Sequence, residues 1–240
     1  MSLLNRMPSG SDIGALDSTG QRADSICMAR VLVVNPNSSM TCSEAIAAAL
    51  ERFQRLSGLQ FDVVTLAEGP PAIYSWRDWH CVVEPLCRLM EREAADAYVI
   101  ACASDPGIEA ARATTRRPVF GVFRCSVAVA IAQAESFGVI AITDASKQRH
   151  HAALRAMGLD GRLATETALN VTMETLLQAR AARGLLIDAA HACAAAGAGA
   201  VILGCTGMTP HRTAIEDAVG IPVIDPCRAA AGIVVSSLAR

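Results

Sequence analysis

Aromatic residues are scarce in this chain, with five Phe, two Tyr and two Trp among 240 residues. Ala, Val, Ile and Leu must therefore fill the core, and a content of 52% hydrophobic residues reads as an α/β composition. Lysine is scarcer still, because Lys147 is the only one. A pyridoxal phosphate cofactor needs a lysine for its Schiff base. Lys147 sits in "DASKQRHH" beside an expected helix start, so no lysine-anchored cofactor is expected. Phosphate-cradling loops of the GxGxxG or GxxxxGK[ST] kind are missing as well, so no cofactor is expected at all.

Charge of one sign is never concentrated. The formal net charge is -2 and like charges form no long block, which gives no footprint for nucleic acid or an anionic membrane. The expected partner is a small neutral or anionic molecule. Residues 189 to 210 carry no Asp, Glu, Lys or Arg, but "AAAGAGA" interrupts them. A helix, a turn and a buried strand are expected there in place of a membrane span. Residues 1–29 lack a continuous apolar stretch and are rich in Ser, Gly and Asp, so they are expected to form a disordered extension, with Met28 an alternative start.

The nine cysteines are odd in number, scattered and free of CxxC pairs, which points to free thiols in a reducing compartment and a cytoplasmic location. His80, Cys81 and Cys87 do not have the spacing of paired metal ligands, so no metal site is expected.

Short apolar runs predict buried parallel strands at Arg30–Val34, Phe61–Leu66, Ala97–Ala101, Val119–Val122, Gly138–Thr143, Ala200–Leu203 and Pro222–Ile224. Helices are predicted between them over Ser43–Leu56, Trp79–Arg92, Ser126–Ala134, Lys147–Met157, Thr172–Ala196 and Ala229–Leu238. The alternation predicts an α/β fold with mostly parallel sheets. A repeat is visible within it. "DAYVIACASDPG" at 96 to 107 matches "GAVILGCTGMTP" at 199 to 210, setting Cys102 against Cys205 at an offset of 205 − 102 = 103. "RPVFGV" matches "IPVIDP" with Pro118 against Pro222, and "VLVVNPN" matches "VIAITDA" with Val31 against Val139. Three matches in one order predict two similar α/β halves about a pseudo-twofold axis. The expected lobes are 30–125 joined by 220–240, and 126–219. Ligands of open α/β sheets bind at the carboxyl ends of strands, so the cleft between the lobes is the expected site.

Cys102 and Cys205 both end an apolar strand and begin a turn of small residues, where backbone N–H groups can stabilise a thiolate. Cys27, Cys42, Cys81, Cys87, Cys125, Cys193 and Cys227 lack that setting and read as structural cysteines. Two thiols facing across an axis suit proton exchange at carbon. One, as thiolate, removes an acidic hydrogen, and the other, as thiol, protonates the opposite face. The hydroxyls of Ser104 and Thr206 and the turn N–H groups can stabilise the developing enolate. Thr143, at the end of the strand matched to the one before Asn35, is a further candidate contact, while His211 stays outside the first rank.

"VLVVNPNSSMT" at 31 to 41, "ACASDPG" at 101 to 107 and "LGCTGM" at 203 to 208 resemble the cofactor-independent aspartate/glutamate/hydantoin racemase superfamily, closest to its hydantoin and allantoin racemase branch. The resemblance runs from about Arg30 to the C-terminus. It implies a two-base racemase with Cys102 and Cys205 on opposite faces of the substrate carbon, Asn35 in contact with substrate, and a homo-oligomer. Ser39, Ala103, Ser104, Thr206 and Gly207 lie in the matched segments and join Asn35 and Thr143 as substrate-binding candidates. The chain departs from the branch at Ala103, where a bulkier residue is frequent, at Ser104, where Gly is frequent, and at "GVFRCSV", which puts Arg124 where an acidic residue is expected. An arginine near the pocket would favour a carboxylate; the plainer alternative is an Arg124 that is exposed or paired at an oligomer interface. The leading expectation is racemisation of a 5-substituted hydantoin or allantoin. Racemisation of Asp or Glu, maleate isomerisation, arylmalonate decarboxylation and non-catalytic thiol sensing stay open as alternatives.

Overall fold

The structure, a computed structural model, describes residues 28–238; the expected extension lies outside the described residues except for Met28 and Ala29. The first half runs β1 (Arg30–Asn35), α1 (Met40–Ser57), β2 (Gln60–Thr65), α2 (Trp76–Cys81), α3 (Val83–Arg92), β3 (Ala97–Ile100), α4 (Ile108–Thr114), β4 (Val119–Gly121) and α5 (Val122–Gln133). The second runs β5 (Phe137–Ala141), α6 (Asp144–Met157), β6 (Leu163–Ala168), α7 (Met173–Leu177), α8 (Ala179–Ala195), β7 (Ala200–Leu203), α9 (Arg212–Val219), β8 (Val223–Ile224) and α10 (Pro226–Leu238). Two four-stranded sheets result, ordered β2-β1-β3-β4 and β6-β5-β7-β8, with every pair parallel.

The strands read as unbroken apolar runs because both faces of each sheet are covered. Val31 and Val33 point into one cluster and Leu32 and Val34 into another; Val139 and Ile202 likewise oppose Ile140 and Leu203. The shared cluster holds Val31, Val33 and Val99 of the first sheet with Phe137, Val139 and Ile202 of the second, and helices α1, α5 and α10 close it. The expected lobe partition divides at its last segment. Val223–Ile224 completes the second sheet, whereas α10 packs on α1 and α5. Residues 189 to 210 form the end of α8, a turn and β7, and no helix among the described residues is long and apolar enough to cross a membrane.

Strand register refines the internal repeat. Val33 pairs with Val99 and Val139 with Ile202, and Tyr98 pairs with Val119 as Val201 does with Val223. Offsets of 202 − 99 = 103 and 223 − 119 = 104 agree with the sequence matches. The first strands, however, align at 139 − 33 = 106, two residues from the Val31–Val139 match. In an apolar strand with both faces buried, sequence alone does not fix register, and a slip of two keeps every side chain on its face.

Where β4 meets α5, the Asp105 carboxylate lies against Gly121: a Cβ built at position 121 would sit 2.3 Å from Asp105 Cγ. Gly121→Ala is therefore expected to cost about 2 kcal/mol or more by overpacking. Gly161→Ala, where a Cβ meets nothing within 4 Å, is expected to change stability by no more than about 0.5 kcal/mol. Urea unfolding of both variants checks the contrast; equal stabilities would show that Asp105 can move aside.

Candidate active site

Cys102 and Cys205 each lie two residues beyond an inner strand, β3 and β7, and both line one pocket between the lobes. Cys102 is half-buried and Cys205 is 8% exposed. The loop after β3 is tightly held. Asp105 donates its N–H to the Cys102 carbonyl at 2.9 Å, and the Trp79 indole N–H donates to the Ser104 carbonyl at 3.0 Å. Asp105 has no exposed surface; it accepts the N–H groups of Phe123 and Arg124, each at 2.9 Å.

The second thiol is approached by close backbone packing. Gly204 donates its N–H to the Ile140 carbonyl at 2.8 Å, and a Cβ there would stand 2.6 Å from that oxygen, so a side chain would push β7 away from β5. Gly207 faces Cys205 through its backbone N–H, and a Cβ on it would lie 2.8 Å from Met173 Sδ.

Burial pushes both thiols up, but not alike. Cys205 is pushed up to about 12, opposed by the Gly207 N–H. Cys102 is also raised by burial, yet three neighbours favour its thiolate: the Ser104 hydroxyl at 3.5 Å, the Ser104 N–H, and the guanidinium of Arg149.

Of the residues nominated from sequence, Cys102, Ala103, Ser104, Cys205 and Thr206 line this pocket. Gly207 lies beside it, as the contacts above describe. Asn35 does not line it: fully buried, it directs its amide nitrogen to Asn37 Oδ1, the Ser39 carbonyl and Ser43 Oγ. Asn37 lines the pocket in its stead. Its Oδ1 accepts the Ser39 N–H at 2.9 Å, which fixes the amide orientation and leaves Nδ2 without a partner among the described residues. Ser39 caps α1, accepting the Cys42 N–H at 3.3 Å. Thr143 stands before α6 with its hydroxyl 3.2 Å from Ser146 Oγ, and Ser146 rather than Thr143 reaches the pocket. His211 is buried, with Nε2 3.3 Å from the Leu176 carbonyl. Lys147 pairs with Asp144 at 2.8 Å.

Arg124 is neither free in solvent nor a lining residue of this pocket. It pairs within the chain, with Asp105 at 3.2 Å and Glu109 at 2.6 Å. The arginine of the pocket is Arg149, which is 3% exposed. Its Nη1 donates to the carbonyls of Tyr74 and Ala145, and its Nη2 to the carbonyl of Ile73 and to Ser146 Oγ. His150 follows it, with Nδ1 2.5 Å from Glu166 Oε1 and its ring stacked 4.6 Å from Phe123. Ser146, Arg149 and His150 form one stripe at i, i+3 and i+4 on α6, a face that the sequence displays once β5 is known to end at the cleft.

Among the described residues no group of three His, Cys, Asp or Glu side chains is arranged to hold a metal ion. The site instead offers two thiols, one guanidinium and the Asn37 amide around one pocket, a set suited to moving a proton at carbon.

The model of the family described as "Asp/Glu/Hydantoin racemase" matches residues 31–234. The hydantoin racemase of Paenarthrobacter aurescens is 31% identical over 226 residues, covering 88% of this chain and 91% of that protein. The hydantoin racemase of Rhizobium meliloti is 32% identical over 215 residues, covering 82% and 84%. Among solved structures, the allantoin racemase from Klebsiella pneumoniae superposes with a TM-score of 0.79 at 24% identity, covering 88% of this chain and 87% of that one, which establishes a shared fold. By these matches the chain belongs to the Asp/Glu/Hydantoin racemase family and is an isomerase of the racemase type.

Proposed function

We propose that the protein racemises a cyclic ureide, a 5-substituted hydantoin or allantoin, by proton transfer between Cys102 and Cys205 without a cofactor. The observation that carries this reading is the pair of thiols at equivalent strand ends on one pocket. A ureide ring presents one acidic carbon flanked by a carbonyl, with further carbonyl and N–H groups around the ring. The Asn37 amide nitrogen and the hydroxyls of Ser104 and Thr206 stand on the same pocket as candidate partners for those groups. The relatives named hydantoin racemase, similar along most of their length, favour the same substrate class.

In the proposed reaction the thiolate of one cysteine takes the hydrogen from the carbon, whose electron pair delocalises into the adjacent carbonyl. The thiol of the other cysteine then delivers its proton to the opposite face. Donors aimed at the enolate oxygen lower the barrier because they are already oriented before charge develops.

One enantiomer of a 5-substituted hydantoin or of allantoin, incubated with the enzyme in heavy water, is expected to lose optical rotation and its Cα–H signal together. No exchange with any member of such a panel would overturn the assignment. Cys102→Ala and Cys205→Ala are each expected to lower racemisation about 10²–10⁴-fold, the usual contribution of a positioned acid or base. Full activity in both variants would exclude the two-base role.

The pH dependence has a definite sign. A group with a raised pKa holds its proton at neutrality, and both thiols are raised by burial. Deprotonation of substrate needs one thiolate, so kcat/KM is expected to climb with pH from neutrality into the alkaline range. A profile that is flat or falling there would count against a thiolate base.

A further inference from the structure

Arg149 is a buried cation that forms no ion pair with a carboxylate among the described residues. Four of its N–H donors are engaged by neutral acceptors, the carbonyls of Ile73, Tyr74 and Ala145 and the hydroxyl of Ser146. The fifth, at Nε, is buried and has no partner among the described residues. The acidic side chains nearest to it are engaged elsewhere. Asp78 accepts the N–H groups of Tyr74 and Ser75 at the start of α2, Glu166 is held by His150 and His151, and Asp105 is held by Arg124 and the start of α5. A charge taken out of water at this cost calls for a counter-ion. Arg149 and Cys102 line the same pocket, and each favours the charged form of the other.

The geometry points to Arg149 as the counter-cation of a Cys102 thiolate, which makes Cys102 the base and Cys205 the acid when substrate first binds. This deepens the two-base reading and rests on it. Arg149 also lines a neighbouring cavity with Ser104 and Asp105, the loop that follows Cys102, whereas Cys205 meets the Gly207 N–H, and the neighbouring thiols Cys102 and Cys42 disfavour its ionisation. Around Cys102 the groups that matter are Arg149 from α6, the Ser104 donors from its own loop, and Asp105, whose charge opposes ionisation.

The proton balance follows. The Cα–H bond breaks and an S–H bond forms at Cys102, while the S–H bond of Cys205 breaks and a new C–H bond forms on the other face. The turnover leaves Cys102 protonated and Cys205 as thiolate. The starting state returns when Cys102 yields a proton to solvent and Cys205 takes one back. Starting from that state, the enantiomer deprotonated is the one whose hydrogen faces Cys102.

Arg149 also clasps the lobes, because α6 belongs to the second half and Ile73 and Tyr74 to the first. A clasp needs donors, whereas a counter-cation needs charge, and this separates the two roles. Cys102 and Cys205 are to be alkylated with iodoacetamide across a pH series and quantified separately by peptide mass spectrometry, using the full chain without substrate. The midpoint for Cys102 is expected below that for Cys205 in the wild type. Arg149→Met is expected to raise the Cys102 midpoint by about one unit or more, the effect of losing an opposite charge, and to leave Cys205 last. Arg149→Lys keeps the charge and is expected to keep Cys102 first.

A Cys205 midpoint at or below that of Cys102 in the wild type would overturn the assignment. So would an Arg149→Met variant whose Cys102 midpoint is unmoved, the result expected if the guanidinium serves only as a clasp or awaits a substrate carboxylate. Should Arg149→Met not fold, the wild-type order and Arg149→Lys decide the matter. The readout needs no turnover, so a ureide panel that shows no exchange would sink the substrate assignment while leaving this one standing.

Discussion

The Asp105 carboxylate joins the loop that carries Cys102 to the first turn of α5, and the placement of the first thiol depends on that join. It accepts two backbone N–H groups at 2.9 Å and an Arg124 ion pair at 3.2 Å, in a site with no exposed surface. Negative charge is favoured at a helix N-terminus, and removing it would leave buried donors unmatched. The backbone of Asp105 sits at φ 44, a left-handed conformation that persists only where the surroundings impose it. The second half meets the same need from another place. Register equates Gly121 with Asp225, which begins α10 and accepts the Arg228 N–H at 2.8 Å. Each half thus fixes its helix start with one buried carboxylate, drawn from the strand-end loop in the first and from the helix start itself in the second. The chain after Cys205, released from that task, winds into the 3₁₀ turn Thr206–His211.

The two lobes are joined beside the pocket by contacts between the segment after β2 and the second half. Arg149 holds the Ile73 and Tyr74 carbonyls, the Met173 N–H donates to the Tyr74 hydroxyl at 2.7 Å, and the Trp76 indole donates to Gln148 at 3.2 Å. These bonds cross between the lobes, and Ile73, Tyr74 and Met173 line the pocket with the thiols. Excluding water raises the energy of any charge inside, so both thiols resist ionisation, and it strengthens each remaining electrostatic contact. One cation in such a pocket then has far more influence than the same cation on a surface.

Much of this was legible in the sequence. Seven of the eight strands among the described residues announce themselves as apolar runs, and the repeat around Cys102 and Cys205 locates both halves and the cleft. The omitted strand is β6, "LATETA", a sheet edge whose polar residues hide the pattern. Short helices α4 and α9 also escape, because a helix of seven or eight residues shows too few turns for its periodicity to stand out. That Asn37, not nominated from sequence, lines the pocket has a specific cause. In "NPN" the strand continues through Asn35 into a buried hydrogen-bond network, and the chain turns before Asn37 reaches the pocket. The same two-residue slip displaced Val31 against Val139, and once it is corrected Thr143 aligns with Asn37. Arg149 lies far from either cysteine in sequence and enters the site only through the folding of α6 over the cleft, so no local pattern singles it out.

A duplicated fold delivers two thiols to one pocket, but the proton transfer proposed through them requires that they differ at every instant. Identical isolated thiols would offer mostly two acids at neutrality or two bases at high pH, and neither state carries a proton from face to face. Proximity supplies the first part of the remedy, since a thiolate at Cys102 disfavours a second one at Cys205. Proximity alone, however, leaves the choice of thiolate undecided. In the proposed reaction divergence between the halves adds to the charge of Arg149 in making that choice: Ser104 places a hydroxyl 3.5 Å from Cys102, whereas the equivalent position after Cys205 is Gly207, which has no side chain to offer one. Symmetry of the strands therefore brings the thiols together, and asymmetry of the side chains around them is what the proposed division into one base and one acid rests on.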